Sequence, residues 1–448
     1  MKLKQTLGIL LIATIFALHL NAQVTIGSDS APIDGALLDL KENGATTKGL
    51  GLPRVELKDL TKLTMGSNVI TNTGTLWQDH AGLVVYNIAK VETKSKRVCP
   101  GIHIWDGEIW QPIVPYADVQ EQKVLKSTVR SFEYLDDSSL ASDWPVGKTV
   151  ADYPLGYIGT FTDNRVNDAA QTYNYTRFYV GYRMHTITYD IKRSYTCNSA
   201  TPTWISEGTE TAKERISFED GVWMAENLRA IHMPDGTAIT LNATSNATTP
   251  YCHYPNLQPT NRATLGVLYN WAAAINMGTG TGQTPDPENV IQGGSGADDV
   301  RIQGVCPDNW RLPSDQDFTD LENGIILNTA TFSSTGNIGG TLLGYDGTNV
   351  RGTTHGTAMK ATNSTINSYA SGGSSKTAAQ GGFDAFLVGL AAGGSANSYG
   401  NGAIFWSASN SGNGANAWAR MLISTYTQTI RGNYSRNHLY SVRCMKND

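Results

Sequence analysis

The chain has 448 residues, which is too long for one ordinary hydrophobic core and predicts a multidomain protein. Only 16% of the residues are charged, and 46 glycines and 20 tyrosines are typical of β-rich extracellular domains rather than of a helical cytosolic enzyme. The formal net charge is −5, and no run of basic residues could follow a phosphate backbone, so we expect no binding to nucleic acid.

Residues 1–23 have the features of a secretory signal peptide. Lys2 and Lys4 precede an apolar run from Leu7 to Leu20, which is shorter than the roughly 20 residues that a membrane-spanning helix needs. No later segment is apolar enough to span a bilayer, and no cysteine near position 23 offers a site for a lipid anchor. We therefore expect an exported protein, extracellular or at the outer cell surface, that does not span the membrane.

Residues 24–115 predict an N-terminal β-rich module. The run "GLVVYNIA" (82–89) indicates a buried strand, and Asp106-Gly107 in "GIHIWDGEIWQPI" predicts a hairpin with Ile104 opposite Ile109. This region, together with "ALLDLKENGATTKGLGLPRV", resembles an N-terminal module of secreted Bacteroidetes surface proteins. The resemblance implies the same exported location.

Residues 116–217 predict a β-sandwich-like spacer. In "RFYVGYRMHTITYDIKRSY" (177–195) the apolar residues alternate, and the alternation then changes phase by one residue. Such a change predicts a β-bulge or a tight reversal near His185 and Thr186.

Residues 218–448 predict an α+β domain. "FEDGVWMAENLR" (218–229) indicates a hairpin with Phe218 opposite Trp223, and "ATLGVLYNWAAAINM" (263–277) has the apolar spacing of a helix. In the Gly- and Ser-rich region after residue 329, "FDAFLVGLAAGG" and "AIFWSAS" predict short buried strands between long loops.

The stretch "PSDQDF" (313–318) predicts the start of another helix. Ser314 can cap this helix, and Asp317 lies at the position that completes a capping box. On this interpretation Asp315, Asp317 and Asp320 are helix-start and solvent-facing residues rather than catalytic acids.

Five motifs follow one another in the C-terminal half: WMAENLR (223–229), LYNWAAA (268–274), GVCPDNWRLPSDQDFTDLE (304–322), FWSAS (405–409) and YSVRCMK (440–446). In this order they resemble the Fibrobacter succinogenes major paralogous domain family, over about residues 216–448. The family is similar to the C-type-lectin-like fold, which implies two helices, antiparallel sheets, long loops and termini that lie together. The overall fold class expected is therefore a mostly β, multidomain protein with a C-terminal lectin-like α+β domain.

The resemblance also implies a disulfide between Cys306 and Cys444. The chain has five cysteines, so at least one must stay free or pair outside the chain. The pairing of Cys99, Cys197 and Cys252 remains open: Cys99 with Cys197 is the remaining arithmetic possibility, and Cys252 lies where the family often has a cysteine.

An oxidase is the least favoured alternative. "WRLPSDQDFTDLE" (310–322) also resembles a segment of formylglycine-generating enzymes, which use two reactive cysteines near the C-terminal end and copper. This chain has only Cys444 there, and no catalytic-triad signature occurs elsewhere. The sequence therefore predicts no enzymatic activity, no catalytic residue and no cofactor.

A lectin-like fold also raises the question of whether the protein binds calcium. The loop "TPDPENVIQGGSGADDV" (284–300) offers Asp286, Glu288, Asp298 and Asp299, but the EPN, QPD and WND patterns of sugar-binding lectins are missing. We expect solvated loop acids and no metal site.

Aromatic and amide side chains near the C-terminus are candidates for a binding surface, because sugars and peptides dock against such groups. The candidates are Trp406, Asn410, Asn413, Trp418, Arg420 and Tyr434. The two tryptophans are better explained as core residues of short strands, which leaves Asn410, Asn413 and Arg420 as the preferred loop contacts. We expect an adhesin or a module that binds glycans or surface and host proteins. The alternative is a structural or assembly component of a surface appendage or extracellular matrix, without a small ligand.

Overall fold

The computed structural model describes residues 24–26, 28, 38–40, 49–65, 68–197, 200–277, 301–336, 340–345, 347–362, 365–366, 369–411 and 415–447. These described residues are mostly β, with 40% in strands that form several sheets and 14% in helices, as the composition predicts. The signal peptide predicted at residues 1–23 lies outside the described residues. Among the described residues, no helix has the length and apolar character needed to cross a membrane.

The chain divides into two compact units, each with its own core. The first contains the described residues up to Lys123 together with Ile191–Gly208, and the second contains Val124–Asp190 and the described residues from Thr209 onward. The residues predicted as a separate spacer, 116–217, are therefore shared between the two units. This division differs from the predicted boundaries.

The first unit is built around a four-stranded sheet, whose neighbouring strands are, in order, β10 (Trp110–Pro112), β9 (Gly101–Trp105), β6 (Val84–Asn87) and β3 (Arg54–Val55). Its inner face packs on a core that contains Leu57, Val85, Trp105 and Trp110, and one short helix, Leu76–Asp79, lies within the unit. The strands up to residue 112 are β1 (Val24–Ile26), β2 (Leu38–Leu40), β3 (Arg54–Val55), β4 (Thr64–Met65), β5 (Asn68–Val69), β6 (Val84–Asn87), β7 (Val91–Thr93), β8 (Lys96–Val98), β9 (Gly101–Trp105) and β10 (Trp110–Pro112).

The hairpin between β9 and β10 forms at the predicted turn, where Gly107 has a φ of +105°. Its register differs from the prediction, because Ile104 lies opposite Gln111 and Trp105 lies opposite Trp110. This register places both tryptophans on the inner face. Burying two large side chains stabilises the hairpin more than the predicted register, with its shorter turn at Asp106-Gly107, would.

Five longer strands follow in the middle of the chain: β11 (Gln120–Tyr134), β12 (Ile158–Asp163), β13 (Gln171–Arg177), β14 (Gly181–Ser194) and β15 (Trp204–Glu219). β14 lies between β11 and β15 in a three-stranded sheet and runs unbroken through His185, so the chain does not reverse there. β12 pairs with β13, and β13 pairs in turn with the strand Val222–Met224 of the second unit. The predicted β-sandwich is therefore not a separate body.

The second unit has two main sheets, β12-β13-β16-β30-β20 and β17-β18-β19-β29-β26-β27-β28-β21. The strands after residue 220 are β16 (Val222–Met224), β17 (Thr240–Leu241), β18 (Tyr251–His253), β19 (Leu268–Tyr269), β20 (Trp310–Arg311), β21 (Asn349–Arg351), β22 (Thr365–Ile366), β23 (Tyr369–Ala370), β24 (Leu390–Ala392), β25 (Ser395–Asn397), β26 (Gly402–Asn410), β27 (Asn416–Ile423), β28 (Thr429–Ser435), β29 (Tyr440–Ser441) and β30 (Met445–Lys446).

Helices in the second unit are few and mostly short. The α-helices are Arg262–Leu265, Trp271–Ala274, Asp315–Leu327, Thr329–Phe332 and His355–Met359, and the 3-10 helices are Ala141–Asp143, Val150–Asp152, Pro255–Leu257, Pro259–Asn261 and Ala378–Gln380. The longest one, Asp315–Leu327, is called the acidic helix below.

Two local predictions in this unit are wrong. Trp223 lies opposite Thr176 and Met445 rather than Phe218, because β16 pairs with β13 and β30. The helix predicted over 263–277 is broken by Gly266, whose φ is +89°, and by β19, which enters the larger sheet between β18 and β29. In both places, pairing with distant strands prevails over local preference.

The acidic helix begins as predicted but is buried far more deeply. The hydroxyl of Ser314 accepts a hydrogen bond from the backbone N–H of Asp317 at 3.1 Å, and Asp317 accepts one from the backbone N–H of Ser314 at 2.7 Å, which completes the capping box. However, Asp315, Asp317 and Asp320 are all buried, so the solvent-facing prediction is wrong. Protein surrounds this helix, and arginines on other elements pair with three of its acids, Asp315, Asp317 and Glu322.

Two disulfides cross-link the chain, one in each unit. Cys306 pairs with Cys444 in the second unit, which is the pairing that the family resemblance implies, and Cys99 pairs with Cys197 in the first. Cys252 is a buried free thiol, whose pKa burial raises to about 12. The two disulfides indicate an oxidising, extracellular environment.

Candidate functional site

A cleft of about 690 Å³ lies on the second unit. Leu135 and Val180 form its apolar floor, and both are buried. Asp136 and Asp137 lie on one side, in the loop after β11, and Asn328 lies on another side, where the acidic helix ends. An apolar floor with a few polar groups at the rim is the usual composition of a ligand pocket.

Internal contacts fix the walls of this cleft. Asp136 accepts hydrogen bonds from the hydroxyl and the backbone N–H of Ser138, at 2.6 and 2.8 Å, and these bonds lower the pKa of Asp136. The Tyr153 ring stacks on Trp144 with 6.1 Å between centroids, and the Arg177 guanidinium lies 4.8 Å from the Tyr153 centroid. The carboxylates at the rim suit a ligand that carries hydroxyl or amino groups.

A network of buried ion pairs is centred on the acidic helix, whose C-cap residue Asn328 also lines the cleft. Arg420 on β27 contacts the carboxylates of Asp315 and Glu322, with 3.0 Å between its Nε and Glu322 Oε1, and Arg431 on β28 lies 2.8 Å from Asp315. These four side chains are at most 2% exposed. Burial by itself would raise the pKa of Asp315, but the two arginines outweigh it and leave the pKa lowered.

A second cluster of ion pairs surrounds the start of the same helix. Arg311 on β20 lies 2.8 Å from Glu219, Arg301 lies 3.0 Å from the same carboxylate, and Arg183 contacts Asp317. Burial by itself would raise the pKa of Asp317, but the charges of Arg183 and Arg311 outweigh this effect and leave the pKa lowered. This cluster connects β14, β15, β20 and the acidic helix within the second unit.

Asp320 differs from the other acids because its carboxyl group is not paired with an arginine at short range. The Tyr345 hydroxyl donates a hydrogen bond to Asp320 Oδ1 at 2.6 Å, and the Tyr134 hydroxyl donates one to the Asp320 carbonyl at 3.0 Å. Burial raises the pKa of Asp320 well above its ordinary value. Asp320 is thus a buried acid that favours its neutral form. The two tyrosine hydroxyls tie this part of the acidic helix to β11 and to the segment of Tyr345.

Two family models match this chain in succession. Residues 216–446, more than half of the chain, match the model described as Fibrobacter succinogenes major domain. The chain belongs to this family, as the five motifs predict. Residues 25–128 match the model described as phage tail like trimerisation region. No curated protein and no solved structure matches the chain.

Trp406 and Arg420, two of the predicted contact residues, are buried in the interior of the Fibrobacter succinogenes major domain. Trp406 on β26 is fully buried, and its indole N–H donates a hydrogen bond to the Tyr269 carbonyl at 2.8 Å. Arg420 lies in a strand rather than the predicted loop, and its guanidinium is enclosed by Asp315 and Glu322. Their side chains therefore stabilise the domain from within.

The other predicted contact residues are not brought together on one surface. Trp418 lies opposite Asn433, and Tyr434 lies opposite Ala417 in the next register position, so Trp418 and Tyr434 occupy opposite faces of the sheet. Asn410 ends β26 and is buried, whereas Asn413 lies outside the described residues. A ligand contact at these positions stays a prediction.

The cleft was not predicted from the sequence. Its residues come from four segments, near Asp136, Tyr153, Val180 and Asn328, and no local pattern connects them. Most of the lining precedes residue 216, where the match to the Fibrobacter succinogenes major domain begins. Folding brings together the loop after β11, the segment around Tyr153, Val180 just before β14, and the end of the acidic helix.

No group of three or more possible metal ligands occurs among the described residues. The loop weighed as a calcium site, 284–300, lies outside them. The expectation that the protein binds no metal therefore stays a prediction.

Proposed function

We propose that this chain is an exported, non-enzymatic surface protein that assembles as a trimer and presents its Fibrobacter succinogenes major domain to a glycan or protein ligand. The succession of the two family matches carries this proposal. The match to a trimerisation region at residues 25–128 precedes the match to the domain at 216–446 in one chain. Together the matches indicate a surface or structural protein, and the disulfides fit an extracellular location.

The architecture of the second unit supports a binding role. The Cys306–Cys444 disulfide and the ion pairs of the acidic helix tie its strands together, and a rigid domain loses little conformational entropy on binding. The cleft near Asp137 and Asn328 offers an acidic, partly apolar surface on that rigid support. Its chemistry fits the hydroxyl groups of a neutral sugar or the amino groups of a protein surface.

Two observations favour a non-enzymatic role. The acids of the acidic helix are paired with arginines or enclosed by tyrosines, which suits structure rather than proton transfer. Cys444 is held in a disulfide and cannot supply the free thiol that formylglycine-generating oxidases use. The oxidase alternative is therefore not favoured.

Two measurements on the full exported chain test the proposal. Light scattering should give three times the mass of one chain, and glycan and protein arrays should show binding that Asp137→Lys weakens at least tenfold. Glu214→Lys, which reverses an exposed charge outside the cleft and outside residues 25–128, is the matched control and should bind as the wild type does. A single-chain mass would contradict the trimer, and no binding at high concentration would contradict the adhesin.

The second candidate is a trimeric structural component of an appendage or matrix, without a small ligand. The inward orientation of Trp406 and Arg420 favours it, because these side chains stabilise the domain and leave no ligand contact there. A trimer that binds nothing on either array would support this alternative over the adhesin.

A further inference from the structure

The four-stranded sheet of the first unit has an apolar outer face. Tyr86 on β6 lies opposite Ile102 on β9, and Ile113, directly after β10, donates its backbone N–H to the Ile102 carbonyl at 3.0 Å. These three side chains therefore form a row across three neighbouring strands. Their exposed fractions are 38%, 38% and 53%, and Ile88 continues the apolar surface at 45%. The residues Tyr86, Ile88, Ile102 and Ile113 are called the apolar row below.

The opposite face of the same sheet already supplies the core of the unit. Val85, Trp105 and Trp110 on that face are at most 1% exposed. β10, β9 and β6 are antiparallel neighbours, and antiparallel strands with one face on a core usually carry polar side chains on the other face. The stability of the unit does not require four apolar residues there, and contiguous exposed apolar side chains commonly mark an interface.

Polar residues surround the apolar row. Arg54 on β3 lies opposite Tyr86, and Gln111 on β10 lies opposite Ile104, so both share the outer face, and both are exposed. An apolar centre with a polar rim is the usual composition of a protein–protein interface. The arrangement favours a protein partner with an apolar patch over a small polar ligand.

We propose that the apolar row is the surface through which one copy of this chain contacts another in the trimer. This inference rests on the proposed function, since the match to a trimerisation region supplies the partner. That match, 25–128, includes all four strands of the sheet and every residue of the apolar row. Three copies of one face can meet around a threefold axis, where identical apolar side chains bury one another and the rim stays in water.

Ile102→Glu tests this surface, with Ile158→Glu as its matched control. Ile102 and Ile158 are both strand isoleucines, exposed by 38% and 39%, but Ile158 lies outside residues 25–128. The mass of each full chain is measured by light scattering over a hundredfold range of concentration, and circular dichroism monitors folding. We expect Ile102→Glu to raise the dissociation constant of the trimer at least a hundredfold and Ile158→Glu to leave it unchanged.

Ile113→Glu keeps the test decisive if Ile102→Glu fails to fold, because Ile113 lies beyond the end of β10 and is more exposed. If the Ile102→Glu and Ile113→Glu variants fold and form trimers as stable as that of the wild type, the apolar row is not the interface. That result would leave the proposed function intact. A wild type with single-chain mass at every concentration would overturn the proposed trimer itself. Dissociation of the Ile113→Glu variant, with an intact Ile158→Glu trimer, would support the inference.

Discussion

Arg420 holds two carboxylates, Asp315 and Glu322, in the interior of the second unit. Arg420→Ala leaves these acids buried with less positive charge, and breaking a buried ion pair from one side costs about 3–5 kcal/mol. We expect the free energy of unfolding of the second unit to fall by that amount in urea titrations. Arg420→Met removes the same charge but keeps more of the packing, and it should lose less stability than Arg420→Ala.

An exposed arginine in the same unit supplies the control for this prediction. Arg215 pairs with Glu133 at 2.8 Å, but both side chains are more than one-third exposed. Solvent screens such a pair, so Arg215→Ala should cost at most about 1 kcal/mol. Equal losses for Arg420→Ala and Arg215→Ala would contradict a structural role for the buried network.

Asp320 makes the stability of the second unit depend on pH. Burial raises its pKa in the folded state above the unfolded value of about 3.9, so the folded chain binds the proton more tightly. The stabilisation from this group is complete below pH of about 3.9 and is lost as the pH rises towards the folded-state pKa. Asp320→Asn keeps a neutral side chain at every pH, so its stability relative to the wild type should increase from pH 4 to 8. Urea unfolding across that range measures the difference, and a constant difference would refute the prediction.

The burial of these acids could not be predicted from the local sequence. The capping box at Ser314 and Asp317 was predicted correctly, because its hydrogen bonds join residues three positions apart. The partners of Asp315 lie on β27 and β28, about a hundred residues further along the chain. An acidic residue near a helix start suggests solvent exposure unless such distant arginines are known.

A disulfide holds the last strand of the second unit, β30, to the rest of that unit. The Cys306–Cys444 disulfide joins the segment before β20 to the segment before β30, over a sequence separation of 138 residues. A closed loop of this length stabilises a fold by roughly 4–5 kcal/mol in the chain-entropy description. Replacing both cysteines by alanine should lower the thermal midpoint of the second unit by several degrees.

Cys252→Ala is the control for the disulfide, because Cys252 is a buried free thiol in the same core cluster. Its replacement removes one sulfur atom and no cross-link, so we expect a clearly smaller shift in differential scanning calorimetry. If the variant that lacks both Cys306 and Cys444 has the same thermal midpoint as Cys252→Ala, the last strands stay in place without the disulfide.

Elements defined by local patterns were predicted better than elements defined by distant pairing. The Asp106-Gly107 turn and the acidic helix have their signals within a few residues, and both are present. β16 and β19 were assigned to a hairpin and a helix, because their partners lie in segments that the local sequence does not identify. The run at 82–89 was predicted as buried, yet Tyr86 faces outward, since an apolar side chain by itself does not reveal which face has a partner.

At the scale of the whole molecule, a trimer would present three copies of one binding domain. Attachment to a dense surface then involves several weak contacts, and such multivalency can raise apparent affinity by about 10²–10⁴ without any new contact. Ile102→Glu, which changes the first unit alone, should therefore lower the apparent affinity for an immobilised ligand by about 10². Its affinity for the same ligand free in solution should stay unchanged, because the cleft near Asp137 lies in the second unit.

Surface plasmon resonance at high and low ligand density, with calorimetry for the free ligand, separates these two quantities. Ile158→Glu should match the wild type in both measurements, because its substitution lies outside residues 25–128. A loss of affinity for the free ligand in folded Ile102→Glu would mean that the first unit itself takes part in binding. If wild type and Ile102→Glu bind equally well at high ligand density, trimerisation through the apolar row does not contribute to attachment. A single domain would then account for all of the measured binding.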